Sequence, residues 1–427
     1  MSQFYQVEMS KLRSIFPFVG FLLSLATPIS AQVAEKPPAP FDAATAWSSF
    51  EKLLQQQYAY FDRAGIDGNA ILAAFATRAL EARSDKEFID ILQLISHNFA
   101  DPHFIVGPFD LADWAIIPTS SDLFGSYDGE RFTIEDVRTG GDALDKGLQA
   151  GMVVERIDDQ TPRAAIEEIT GRPFSTLSPV QVAFGFNVAL AGRRQQTRTL
   201  DVKFRGTNRR FVLAATSEHA KRIKNGPLLE VERQGTLGII RINNSLGDQA
   251  LIGQFQQALV SLEGTKALLI DLRNTPSGGN TSVARGIMGH FVDHDRPYQV
   301  HVIPYESRVL GPTRKFIEFV MPYGIQYDGK VYVAGGRWTG SMGEGMMIGF
   351  DAIGATTIGS ELADLLGALS NRTITGSAAK VDLGTEQLLT VTGMPREAYR
   401  PEIFLRRAER DAAYDPVLMA IHQRFAQ

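Results

Sequence analysis

From Leu229 to the end of the chain, short apolar runs alternate with amphipathic stretches, and this alternation restricts the fold more than any other feature of the sequence. Leu237 to Ile242, Ala267 to Leu272 and Val331 to Ala334 read as strands, while Ala250 to Leu262, Thr281 to Val292 and Met342 to Asp351 read as helices. Continuous apolar strands are those buried on both faces, and helices between them supply the crossover connections that parallel strands need. An α/β layer is therefore expected over residues 229–427.

The rest of the 427 residues follows other patterns. From Phe41 to about Ala100 apolar residues recur at helical spacing, with Trp47, Phe50, Leu53 and Leu54 first and Phe88, Ile91, Leu92 and Ile95 later. This predicts a helical segment over 41–115, broken at Pro102 and followed by a strand-like run from His103. Between 120 and 214 short alternating runs such as Phe132 to Val137 and Thr199 to Phe204 predict a mainly β block. Residues 1–31 differ again: Lys11 and Arg13 precede an apolar run from Ile15 to Ala26, with small residues at Ser30 and Ala31. That is the pattern of a secretory signal peptide, and a run spanning about 18 Å as a helix is too short for a hydrocarbon core of about 30 Å. The expected location is periplasmic or secreted, with no stable membrane span in the mature chain.

Composition removes several functions. Lys and Arg total 43 against 48 Asp and Glu, with no basic block, which argues against a nucleic-acid partner. The chain has no cysteine, so disulfides, thiolate metal sites and a cysteine nucleophile are all excluded. His290 and His294 stand four apart beside Asp293 and Asp295, but Phe291 occupies the place where a zinc protease needs Glu. No metal and no other cofactor is expected. Met346 and Met347 read as core packing.

The chemistry concentrates at two strand-to-helix junctions. After Lys330 to Ala334, the segment Gly335-Gly336-Arg337-Trp338-Thr339-Gly340-Ser341-Met342-Gly343-Glu344 opens an apolar helix. A serine there lies at the positive end of the helix dipole, and the next N–H, from Met342, has no intrahelical acceptor and can face an oxyanion. Ser341 with Glu344 three residues on is also an ordinary capping box. The second junction, Asn274-Thr275-Pro276-Ser277-Gly278-Gly279-Asn280, exposes backbone N–H groups that can supply a second donor, from Gly278 or Gly279.

Asp271-Leu272-Arg273 with Gly278-Gly279, and Thr339-x-Ser341-x-x-Glu344 some 60 residues later, closely resemble the C-terminal processing peptidases and tricorn-core proteases, over residues 41 to 405. The resemblance implies a crotonase/Clp-protease-like α/β core with an N-terminal helical segment and an inserted β-rich PDZ-like domain. Within 120–214, Ala143 to Asp158 resembles the helix-turn-strand signature of a PDZ domain, with Phe124-Gly125 upstream where a carboxylate-binding loop would lie. Met152 and Asp159 depart from the usual pattern there.

One branch of the family pairs the serine with a lysine about 25 residues downstream; position 366 is Leu, and no lysine lies between Ser341 and Lys380. The other branch carries a histidine in Asp-x-His, which Asp101-Pro102-His103 matches, although Pro102 stands where a small residue is usual. The resemblance thus implies Ser341 as nucleophile, His103 as general base and an acid near the C-terminus. Pro395 to Glu402 resembles the stretch that carries the acid, making Glu397 the candidate, with Glu361 as the alternative. The oxyanion donors would be Gly278 and Met342. The function implied is an exported serine endopeptidase acting on unfolded proteins or peptides. A catalytically silent peptide-binding protein or a serine esterase or amidase on the same fold are the alternatives.

Overall fold

The computed structural model describes residues 40–411 and 413–425, so the expected signal peptide lies outside the described residues. The chain enters through helix α1 (Ala43–Gln57), capped by Asp42, whose carboxylate accepts from the N–H groups of Ala44 and Thr45. A two-stranded turn, β1 (Asp62–Arg63) and β2 (Ile66–Asp67), leads to α2 (Gly68–Leu80) and α3 (Asp85–Asn98). A short strand, β3 (Ile105–Gly107), follows.

A five-stranded antiparallel module comes next: β4 (Leu123–Tyr127), β5 (Phe132–Val137), the short α4 (Asp142–Asp145), β6 (Val153–Ile157), β7 (Arg198–Phe204) and β8 (Thr207–Leu213), paired in that strand order. Two helices interrupt it between β6 and β7, α5 (Pro162–Thr170) and α6 (Pro179–Ala191). The alternating runs predict a mainly β block, and neither helix is part of that expectation. Each nevertheless begins at a Thr or Ser cap with Pro in its first position, Thr161-Pro162 and Ser178-Pro179. Gly125 packs so closely under α6 that a Cβ there would lie 2.4 Å from Phe186.

After α7 (Thr216–Lys224) the predicted α/β layer begins. Strands β9 (Leu229–Gln234), β10 (Leu237–Ile242), β11 (Ala267–Asp271), β14 (Lys330–Gly335), β15 (Thr356–Gly359) and β18 (Ile403–Phe404) form one sheet, ordered β18-β15-β14-β11-β10-β9. Pairing is parallel from β10 through β18, and only the edge strand β9 is antiparallel. Helices α8 (Ala250–Ser261), α9 (Thr281–Met288) and α11 (Met342–Ala352) make the crossovers, and α12 (Pro416–Phe425) sends Val417 and Ile421 into the same layer. Met346 and Met347 are fully buried in the core between sheet and helices.

A second sheet was not foreseen. Strands β12 (Arg296–Ile303), β13 (Arg314–Val320), β16 (Ala368–Thr373) and β17 (Lys380–Leu389) are joined by β3, whose Ile105, Val106 and Gly107 pair with Asp382, Val381 and Lys380. A short helix, α10 (Pro304–Leu310), links β12 to β13. The N-terminal helices share one buried cluster with Leu366, Ala379, Val381 and Leu383. This pairing threads the loop that bears His103, two residues before β3, into the core. No helix of the described residues is long and apolar enough to cross a membrane.

Candidate active site

Two loops at the C-terminal ends of β11 and β14 are stitched together. Thr275 N donates to the carbonyl of Trp338 at 3.0 Å, Gly340 N donates to the carbonyl of Thr275 at 3.1 Å, and the hydroxyls of Thr275 and Thr339 both donate to the carbonyl of Leu272. The pair of parallel strand ends thus fixes the Gly278 turn against the start of α11. Strand ends at the C-terminal edge of a parallel sheet are where α/β folds place ligands.

Ser341 stands at that helix start with φ +52° and ψ −110°. A positive φ is uncommon for a residue with a side chain and persists only where the surroundings over-determine it. Those surroundings are present: Ser341 N donates to a Glu344 carboxylate oxygen at 2.6 Å, and Ser341 O accepts from Gly345 N at 3.0 Å and from Arg396 Nη1 at 3.1 Å. The backbone is held on both sides, and Ser341 is partly exposed at the junction. Gly278, at φ +67°, faces it; a Cβ at 278 would come within 2.8 Å of Met342 N. Gly279 faces the other way, against the Leu246 backbone. The Gly278 N–H closes its own turn on Thr275 O at 3.3 Å, while the Met342 N–H, first in the helix, has no intrahelical acceptor.

His103 is 4% exposed. Its Nδ1 lies 3.1 Å from the carbonyl oxygen of Leu366. Asp101 shapes the loop: one carboxylate oxygen accepts from His103 N at 2.9 Å and from Leu366 N at 3.2 Å, and the other accepts from the Tyr58 hydroxyl at 2.7 Å. Asp-x-His is thus a brace in which the aspartate sets the backbone of the histidine. Leu366, at the position where a lysine base would have stood, serves both residues through its backbone. Burial, and then the nearby Arg396 charge, push the imidazole down to about 4. Burial also lifts Asp101 to about 6.

Glu397 lies on the surface of a three-residue turn, Arg396–Ala398, and makes no hydrogen bond with His103. Glu361 is engaged by Arg337 at 3.2 Å and by Arg400 at 3.6 Å. The buried member of the turn is Arg396, which donates to the carbonyls of Ser341, Leu365 and Gly367 and lies 3.6 Å from Glu344. Sequence reasoning missed Arg396, since nothing in a turn so short tells which residue points inward. The sequence places Glu344 in the capping box and in the family motif, with no sign that its carboxyl is buried. In the fold this carboxyl is buried and pushed up to about 8, with burial the main cause.

The remaining candidates fall elsewhere. His290 is buried with Nδ1 2.7 Å from Ile325 O, and His294 is exposed beside Asp293. Among the described residues no cluster of three or more His, Asp or Glu is arranged to hold a metal. In the inserted module, Gly125 N donates to the Asn187 side-chain oxygen and Gly125 O accepts from its amide nitrogen, each at 2.9 Å. The backbone of Gly125 is therefore already occupied by α6.

No family model matches the chain, and no curated protein matches it in sequence. Solved structures do match. The photosystem II D1 C-terminal processing protease superposes with a TM-score of 0.54 at 15% identity, covering 85% of this chain and 93% of that one. Mature CPAF gives a TM-score of 0.58 at 14% identity, covering 86% and 93%. At these identities the likeness is one of architecture. The chain has the fold of the C-terminal processing proteases.

Proposed function

We propose that this chain is an exported serine endopeptidase of the C-terminal processing and tricorn-core family, acting on unfolded proteins or peptides. The observation that carries the reading is the Ser341 junction: a serine held at positive φ on a strand-to-helix turn, with a glycine loop pressed against it and a helix-start N–H beside it. Serine nucleophiles in α/β hydrolases are presented on such strained turns. Ser341 Oγ attacks the peptide carbonyl, His103 takes its proton and returns it to the leaving amine, and the N–H of Met342 with that of Gly278 receives the oxyanion. Rotation of the Gly278 peptide out of its 3.3 Å turn bond frees the second donor. The ring of His103 is oriented by the Leu366 carbonyl, in the place where an acid would act. Glu397 and Glu361 are the carboxylates to compare as an acid joining the site during turnover. The signal-peptide pattern of residues 1–31 supports export.

Treatment with a fluorophosphonate probe and a casein digest test the reading. Wild type is expected to label and to digest casein, and Ser341→Ala to do neither while losing no more stability than a lost cap costs, about 0.5 to 2 kcal/mol. Labelling with ester hydrolysis but no proteolysis would point to an esterase.

A second reading has its own support. The guanidinium of Arg396 lies beside both Ser341 and His103, and no carboxylate bonds the His103 ring. A silent peptide-binding protein on this fold would bind unfolded peptide and leave the probe untouched.

A further inference from the structure

Beside the C-terminal ends of β10 and β11, residues of the inserted module and of the α/β layer line a cavity of about 350 Å³. Arg138 at the end of β5, His219 and Arg222 of α7, Arg241 of β10, and Glu409 and Arg410 of the C-terminal segment line it. The charges on its walls do not balance. Arg241 is paired with Glu232 at 2.7 Å, and Arg273 with Asp271 and Asp415 at 2.7 and 2.9 Å. Arg138, Arg222 and Arg410 make no ion pair within the described residues.

Arg138 is the sharpest case. It is 1% exposed, and its hydrogen-bond partners are the carbonyls of Thr119 and Ser121 and the side-chain oxygen of Asn274, all neutral; Glu409 and Asp122 are near enough to favour its charge but form no ion pair with it. A buried charge normally has a counter-ion. His219 is 5% exposed, and neither ring nitrogen has a hydrogen-bond partner; Arg138 Nε, Arg241 Nε and Glu409 Oε1 also lack one. Five of the eleven such atoms among the described residues therefore belong to this one cavity. Burial and the neighbouring Asp136 push the Glu409 carboxyl upward, toward the protonated form that donates rather than repels an anion. The wall holds five arginines and His219 against three carboxylates, Glu230, Asp271 and Glu409, so donors are in excess.

We propose that this cavity binds a small oxyanion, phosphate in its simplest form, through Arg138, Arg222 and His219. The planar guanidinium fork matches two oxygens of such a group, and a neutral imidazole adds one N–H. The ligand would lie next to Asn274, the residue that joins Arg138 to the loop carrying Gly278. The inference does not depend on Ser341 being a nucleophile.

Calorimetric titration of the full chain with inorganic phosphate tests it, with citrate as the carboxylate arm. One-to-one binding is expected, weakened about tenfold or more in Arg222→Gln and in His219→Leu. Arg222 is exposed and bonds only the carbonyl of Gly140, and the ring nitrogens of His219 have no hydrogen-bond partner, so both variants should melt like wild type in anion-free buffer. Should His219→Leu not fold, Arg222→Gln decides alone. Citrate binding in place of phosphate, with the same loss in the variants, keeps the oxyanion site and assigns its ligand to carboxylates. Failure of both anions to bind at millimolar concentration, or affinity unchanged in Arg222→Gln, overturns the proposal.

Discussion

Gly278 lies so close to Ser341 that a methyl group at 278 would sit 2.2 Å from the serine Cβ and 2.7 Å from its Oγ. Gly278→Ala must therefore move one of the two loops, and the left-handed φ adds about 1 to 2 kcal/mol of strain. A displacement of about 1 Å at a reacting group can cost about a hundredfold in rate. The fluorophosphonate labelling rate should fall by that order in Gly278→Ala. Gly279→Ala makes the contrast, since its methyl meets the backbone of Leu246 at 2.2 Å and should lower the melting temperature first. Equal labelling by Gly278→Ala and wild type would separate the loop from the chemistry.

The pH dependence follows from the burial of His103. A general base works only when neutral, and this imidazole is pushed down to about 4, by burial first and by the Arg396 charge second. kcat/KM should therefore rise with pH through about 4 and be level from about 5 to 8, rather than rising near the ordinary imidazole value of about 6.5. The same shift bears on stability: its contribution is complete above the unfolded value and is lost as pH falls through about 4. An inflection near 6.5 in the rate profile would show that the ring is solvated in the working state. His103→Ala should abolish the limb and leave only the residual rate of binding and oxyanion stabilisation.

How much of this was legible in the sequence depended on range. The parallel strands β10, β11 and β14 appear as apolar runs because both of their faces are buried, and the Ser341 junction appears because a cap and a helix start are local events. The second sheet is not local: β3 pairs with β17 across some 275 residues, and no periodicity announces such a partner. Helices α5 and α6 carried readable Thr-Pro and Ser-Pro starts, yet the alternating runs on either side outweighed them. The inward position of Arg396 and the outward one of Glu397 arise from a single 3₁₀ turn, shorter than any repeat that could reveal a face.

Glu344→Gln isolates the buried carboxyl under Ser341, the proposed nucleophile. Glu344 is raised from 4.5 to about 8, mainly by burial, so its contribution to stability is fully present below 4.5 and is lost as pH rises through about 8. Glutamine keeps a carbonyl oxygen to accept from Ser341 N and cannot ionise. Against pH, the wild type should lose stability on the alkaline side with a slope of at most about 1.4 kcal/mol per unit from this group, and the variant should lose less. Asp101 and Asp364, each raised to about 6, contribute in the same direction and keep the variant from being flat. Parallel curves for the two proteins from pH 5 to 9 would show that Glu344 is not titrating in that window.

Arg396 links these two titrations, because its charge disfavours the imidazolium of His103 and favours the carboxylate of Glu344 at 3.6 Å. Arg396→Gln removes the charge and retains a donor toward the carbonyls of Ser341 and Gly367; Arg396→Lys retains the charge and loses the fork. The rate inflection assigned to His103 should therefore move upward from about 4 in the glutamine variant and stay near 4 in the lysine variant. A merely structural role would shift melting temperature in both without moving either inflection. The same pair separates the two functional readings. If Arg396 silences the serine, Arg396→Gln should label with fluorophosphonate where wild type does not. If the site is active as it stands, wild type labels, and Arg396→Gln labels more slowly because the charged donor that helps hold the strained Ser341 backbone is replaced by a weaker, neutral one.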